Sequence, residues 1–228
     1  EAIRNALRGR LDHREGTAYL SGLQMTPRDQ LQIDRVIIAA CGTSLYAGLV
    51  GEYCFEDLAG IPTEVEQAAE YRYRNPIVTP STLTLAITQS GETADTLAAL
   101  REAKMKGAQV AALCNVVGST IAREAGRGVY LHAGPEIGVA STKAFTCQVT
   151  VLLMMALKFA RTRRLSRQRG LELAAEIERL PELVAEVIEQ ADEIKRIAEK
   201  WAEAKSFFFI GRGCLYPVAL EGALKLKE

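Results

Sequence analysis

Hydrophobic residues along this chain come in two textures. A short unbroken apolar run of strand length occupies residues 35–40, and residues 82–87 and 109–114 also read as strands; a run without alternation is what a strand buried on both faces requires. Residues 63–66 (Thr-Glu-Val-Glu) alternate and predict a weaker strand, and residues 128–131 a short fifth one. Between these runs the apolar positions recur with a helical period. Helices are expected at 2–9, at 45–58 closed by Gly60 and Pro62, at 94–106 ending at Gly107, at 119–124, and over a long stretch from 141 to 160. Two polar, amphipathic helices follow through 166–203, and residues 218–228 read as helix with no Gly, Asn or Pro after them. Strands alternating with helices give βαβ units, so the predicted class is α/β: a three-layer α/β/α domain around a mostly parallel five-stranded sheet.

The pattern also suggests an organisation. Residues 1–30 read as an N-terminal helix and linker, 31–165 as one α/β unit and 166–204 as a helical linker. Ser206-Phe207-Phe208-Phe209-Ile210-Gly211 leads into Leu215-Tyr216 much as Val36-Ile37-Ile38-Ala39-Ala40-Cys41 leads into Leu45-Tyr46, at a constant offset of 170 (206 against 36). Residues 205–228 are therefore expected to begin a second copy of the same unit. With Glu1 in place of an initiator Met, and a last helix that has no stop signal, the sequence is expected to be a piece of a longer chain.

Composition narrows the partners. Hydrophobic residues make up 48% and charged residues 25%, and 28 Lys and Arg balance 28 Asp and Glu, so nothing draws the whole molecule to nucleic acid or an anionic membrane. The five Arg within 161–170 lack interleaved aromatics and read as a solvated helix end. The longest apolar stretch, around 149–157, stops at Lys158, short of the ~20 residues of a membrane span, and is expected to be a buried core helix. Five cysteines, scattered singly and odd in number, argue for a reducing compartment, hence the cytoplasm.

In an open parallel sheet, ligands bind beyond the carboxyl ends of the strands. Three predicted strand-to-helix junctions carry the same small, hydroxyl-bearing residues there: Gly42-Thr43-Ser44, Thr88-Gln89-Ser90-Gly91-Glu92-Thr93 and Gly138-Val139-Ala140-Ser141-Thr142. Unpaired amides at a helix start can hold an anion without Lys or Arg. For one such loop plain N-capping is the simpler account, whereas three on one sheet edge favour a ligand. No G-x-G-x-x-G after a strand and no G-x-x-x-x-G-K-S/T pattern occurs, which argues against a dinucleotide site and a P-loop; the hydroxyl-rich loops instead suit a sugar phosphate, with one phosphate and several OH groups to pair. No cluster has metal-ligand spacing, so no metal is expected. Glu221, Lys225 and Glu228 share a helix face; spacing alone makes them a solvated salt-bridge ladder.

Four segments go further. Cys41-Gly42-Thr43-Ser44, Gln89-Ser90-Gly91-Glu92-Thr93-Ala94-Asp95-Thr96, Glu136-Ile137-Gly138-Val139-Ala140-Ser141-Thr142-Lys143-Ala144 and Ala219-Leu220-Glu221-Gly222-Ala223-Leu224-Lys225-Leu226-Lys227-Glu228 together resemble the isomerase part of the glucosamine-6-phosphate synthase (glutamine:fructose-6-phosphate aminotransferase) family, built from two sugar-isomerase (SIS) domains. The resemblance implies conversion of fructose 6-phosphate and glutamine to glucosamine 6-phosphate and glutamate, without cofactor or metal, in a homodimer whose chains also carry a glutaminase domain. By resemblance Thr88, Gln89, Ser90 and Thr93 hold the phosphate, and position 88 is Thr where the family usually has Ser. Thr43, Ser44, Val139 and Ser141 line the sugar site, Glu228 is the base that moves a proton between C1 and C2, and Lys225 stands beside it. The family's ring-opening histidine and its C-terminal lysine lie beyond residue 228, so these residues alone are expected to be inactive. The competing expectations are a non-catalytic SIS module that senses a sugar phosphate, and an SIS deglycase.

Overall fold

In the computed structural model, which describes residues 1–138 and 140–228, helix α1 (Ala2–Leu7), a small hairpin of β1 (Leu11–Asp12) and β2 (Thr17–Ala18), and helix α2 (Pro27–Gln32) precede the main sheet. Then come β3 (Arg35–Ala40), α3 (Thr43–Cys54) with a π turn at Phe55–Ala59, β4 (Thr63–Gln67), α4 (Ala68–Tyr71), β5 (Thr82–Thr88), α5 (Ala94–Met105), β6 (Gln109–Cys114), α6 (Thr120–Ala125) and β7 (Gly128–Tyr130). Helices α7 (Lys143–Arg163), α8 (Arg167–Glu178), α9 (Leu180–Ile188), α10 (Ala191–Lys200) and α11 (Leu215–Lys227) complete the chain. All five main strands run parallel in the order β4-β3-β5-β6-β7. The chain steps from β3 outward to β4, then returns past β3 to β5. The order reverses between β3 and β5, and that reversal is where an open α/β sheet opens a crevice for a ligand.

Strand periodicity distributes the apolar runs over two cores. From β3, Val36, Ile38 and Ala40 face one side and Ile37 and Ala39 the other; from β6, Ala111 and Leu113 oppose Val110, Ala112 and Cys114. The first side is covered by α7, whose Val151, Leu152, Met155 and Phe159 are fully buried, together with α1 and α3; the second is covered by α5 and α6 through Leu100, Ala103 and Ile121. Helix α7 is long and apolar enough to cross a membrane, yet it is the central helix of the first core, as its apolar run predicts.

Residues 1–30 are more than a linker. Ile3, Ala6, Leu7, Ala18, Leu20, Leu23 and Met25 are all buried in the first core. Helix α2 starts on a reciprocal capping box: Asp29 N–H donates to Thr26 Oγ1 at 3.2 Å and Thr26 N–H to Asp29 Oδ2 at 2.8 Å, with Pro27 next in line.

The arginine-rich segment is not simply solvated. Arg163 donates to the carbonyls of Gln30 (3.0 Å), Leu31 (3.4 Å) and Ile33 at the end of α2. Arg164 donates to those of Leu58 (3.1 Å), Glu56 (3.3 Å) and Asp57 in the π turn. Cations thus satisfy carbonyls that a helix end leaves unpaired. Arg163→Ala is expected to cost about 2 kcal/mol, the scale of losing charge-assisted hydrogen bonds to carbonyls, read as a lower denaturation midpoint at unchanged m-value.

Two expectations differ from the structure after residue 166. Three helices occupy 166–203 instead of two: Pro181 in the first turn of α9 supplies no N–H to continue α8, and a turn at Glu189 and Gln190 separates α9 from α10. Residues 206–210 form no strand: a strand needs a neighbouring ladder, and none lies beside them. Phe208 (91%) and Ile210 (92%) stand in solvent.

Candidate active site

The crevice at the reversal of strand order holds a cavity of about 260 Å³, at the small end for small-molecule sites. Thr43 and Ser44 enter it from the start of α3, Thr88, Gln89, Ser90 and Thr93 from the β5–α5 loop, Ser141 from the segment before α7, and Glu228 from the end of α11. Val139, expected at the sugar site, lies outside the described residues. No Lys or Arg is among the described lining residues, so an anion here would be held by hydroxyls and amides.

None of these hydroxyls caps its own helix. The residues at the cap positions of α3, α5 and α7 are Gly42, Thr93 and Thr142, and none of them makes a side-chain capping bond. The β5–α5 loop is braced instead from within and behind. Thr88 Oγ1 lies 3.1 Å from Thr93 Oγ1 and accepts the Gly91 N–H at 3.2 Å, and Ser90 Oγ accepts the Glu92 N–H at 3.2 Å. The carbonyls of Gln89 and Gly91 accept the N–H groups of Asn115 and Ile121 at 3.2 and 3.0 Å, while the Glu92 carboxylate accepts the Thr120 N–H at 2.8 Å. The loop is therefore fastened to its neighbour, and the first-turn amides of α5 that follow it have no partner within the helix.

The Glu221-Lys225-Glu228 face is not a solvated ladder. Helix α11 lies against α3, and Lys225 Nζ sits 3.0 Å from Glu228 Oε2, 3.4 Å from Glu221 Oε1 and 3.0 Å from Thr43 Oγ1, to which it donates. Thr43 in turn donates its hydrogen to Glu221 Oε1 at 3.1 Å. Glu221 is only 6% exposed and its Oε2 has no partner among the described residues. Burial pushes the Glu221 pKa up, against the pull of Lys225. Burial also draws the Lys225 pKa down, but its bond to Glu228 and the charge of Glu221 outweigh this and leave it above the ordinary lysine value. An ammonium held so close to Glu228 can stabilise a negative charge and balance the carboxylate as it takes up and returns a proton.

Two residues at the site are not legible from motif spacing. Glu136 lines the cavity, and its Oε2 accepts both the Ser141 hydroxyl (3.1 Å) and the Ala144 N–H (3.0 Å). It caps α7 in place of a hydroxyl and orients Ser141; the available signal was a carboxylate shortly before a helix start. The other is Gln148 on α7, which donates to Ser44 Oγ at 2.8 Å. Cys41 also lines the cavity, its sulfur accepting the Thr96 hydroxyl at 3.9 Å. A cavity of about 490 Å³ lies toward β7 and the N-terminal segment, around Arg8, Arg10 and His132, and a more open one of about 870 Å³ adjoins the crevice, sharing Gln89 and Glu136 with it. Among the described residues no three His, Cys, Asp or Glu side chains are grouped to hold a metal ion.

An open sheet with hydroxyl-bearing loops converging at its reversal of strand order is the arrangement of a sugar-isomerase domain, and residues 31–158 match the SIS domain family: the chain belongs to it. Across its full length it is 53% identical to a glutamine–fructose-6-phosphate aminotransferase (isomerizing) from Chlorobaculum tepidum, and over 99% of its length 51% identical to one from Thermus thermophilus. It spans 37% of the length of each of these relatives. Among solved structures it superposes with a TM-score of 0.93 on the C-terminal domain of glucosamine-fructose-6-phosphate aminotransferase from Francisella tularensis, at 38% identity, covering 100% of this chain and 63% of that one.

Proposed function

We propose that this chain is the sugar-phosphate isomerase part of a glutamine–fructose-6-phosphate aminotransferase, handling fructose 6-phosphate on the way to glucosamine 6-phosphate with ammonia from a glutaminase domain of the same protein. The observation that carries this reading is the convergence of hydroxyl-bearing residues from three helix starts on one cavity, with a Lys225–Glu228 pair held 3.0 Å apart at its rim. In this reading Thr88, Gln89, Ser90 and Thr93 receive the phosphate, and Ser44, Ser141 and Val139 pair with or flank the sugar. Glu228 removes a proton at C1 and delivers it to C2, a shuttle for which a positioned carboxylate suffices. Lys225 offsets the charge that develops on the neighbouring oxygen. Thr43, whose hydroxyl is committed to Glu221 and Lys225, sets the position of the ammonium.

The similarity to the relatives supports the same organisation here: residues 31–165 as the first SIS unit, 166–204 as a helical connection, and a second unit starting near residue 205. Working as a homodimer, in the cytoplasm and without a cofactor, belongs to the same proposal. Calorimetry on the full chain tests the site. Fructose 6-phosphate is expected to bind at least about 10²-fold more tightly than fructose, and Ser90→Ala to weaken it about tenfold, one hydrogen bond to a charged group. Equal affinity for the two sugars would refute the phosphate assignment.

A further inference from the structure

Gln148 is fully buried in the middle of α7, yet polar. Its Nε2 donates to Ser44 Oγ at 2.8 Å, a bond between residues 104 positions apart, and its Oε1 is buried with no partner among the described residues. A buried amide left half-satisfied costs stability relative to a well-packed apolar residue of the same size. Packing alone therefore gives no reason for an amide here.

The reason lies in Ser44. A serine hydroxyl can accept and donate at once. Ser44 accepts from Gln148, and no other described residue takes its hydrogen. Ser44 is itself 7% exposed, and the face it keeps open lines the cavity, so its hydrogen is available to a ligand oxygen. The opposite amide orientation would draw that hydrogen inward onto Oε1 and would leave both amide hydrogens unpaired in the core, where the observed one leaves one amide hydrogen and the carbonyl oxygen. Buried unpaired N–H groups are the rarer defect in folded proteins. We infer that Gln148 is a positioning residue, which fixes Ser44 as a hydrogen-bond donor to an oxygen of the bound sugar phosphate.

This inference rests on the sugar-phosphate reading, so the experiment separates the two. Fructose 6-phosphate affinity is measured by calorimetry on the full chain for the wild type, Ser44→Ala, Gln148→Met and the double variant, with thermal unfolding as the folding control. Gln148→Leu, close in volume, is the second variant should Met disturb the fold. Each single change is expected to weaken binding about tenfold, and the double variant to be no weaker than Ser44→Ala alone, because Gln148 acts through Ser44. In turnover, KM is expected to rise by a larger factor than kcat falls. Wild-type affinity in a folded Gln148 variant, or losses that multiply to about 10²-fold in the double variant, would overturn the inference while leaving the sugar-phosphate site standing. A wild-type chain that does not bind fructose 6-phosphate would overturn both.

Discussion

In the full chain, Glu228→Gln is expected to lower the rate of fructose 6-phosphate turnover by about 10³-fold, the scale of removing a positioned general base, while changing substrate affinity only a few-fold. The amide keeps the size of the carboxylate and still offers Lys225 an oxygen, but it cannot take up a proton. Lys225 would remain anchored, because it also pairs with Glu221 at 3.4 Å and donates to Thr43 at 3.0 Å. The walls of the cavity therefore stay in place, and the loss should fall on kcat. Steady-state kinetics together with calorimetric affinity separate the two quantities. A variant retaining a tenth or more of wild-type kcat would remove Glu228 from the role of base.

The second large effect is expected at Gly91, in the turn between β5 and α5. Its φ of +72° lies in the left-handed region, and a Cβ there would stand 1.9 Å from Ser119 Oγ and 2.3 Å from Ser119 Cβ. Ser119 is 3% exposed at the start of α6 and has little room to retreat. Gly91→Ala thus combines the left-handed penalty of about 1–2 kcal/mol with an overpacking cost of about 1–3 kcal/mol. A destabilisation of about 3 kcal/mol is expected by chemical denaturation. Affinity for fructose 6-phosphate should fall by more than 10²-fold, since the displaced turn carries Ser90 and the amides that follow it. Adding Ser119→Gly should restore part of the stability by relieving the clash but not the backbone strain. A Gly91→Ala chain as stable as the wild type would contradict the tight fit of this loop.

Much of the fold is legible because its central strands are buried on both faces. Val36 to Ala40 and Val110 to Cys114 are apolar without a break and Leu83 to Ile87 is broken only by the buried Thr84, and each places alternate residues in opposite cores. The hydroxyl-rich junctions are legible for a related reason, since a strand-to-helix turn with several Ser and Thr is easily seen in sequence. What is hidden depends on partners far away along the chain. The same apolar texture at 206–210 yields no strand, because hydrogen bonding to a neighbour decides strand formation. Five arginines suggest solvated charge until the carbonyls at the ends of α2 and the π turn are seen to receive two of them. Glu221, Lys225 and Glu228 have the spacing of an exposed ladder, and only the packing of α11 on α3 turns that face toward Thr43. Gln148 looks like any polar residue in a helix until Ser44 is found above it.

We propose that neutral donors at the carboxyl edge of this sheet hold the phosphate of a hexose monophosphate, with Glu228 over the reacting carbons. A crystal structure of the full chain grown with fructose 6-phosphate tests it most directly. Phosphate oxygens are expected within hydrogen-bonding distance of Ser90 and Thr93, with C1 and C2 beside the Glu228 carboxylate. The phosphate found instead in the cavity around Arg8, Arg10 and His132, with the crevice at Ser90 empty, would contradict it.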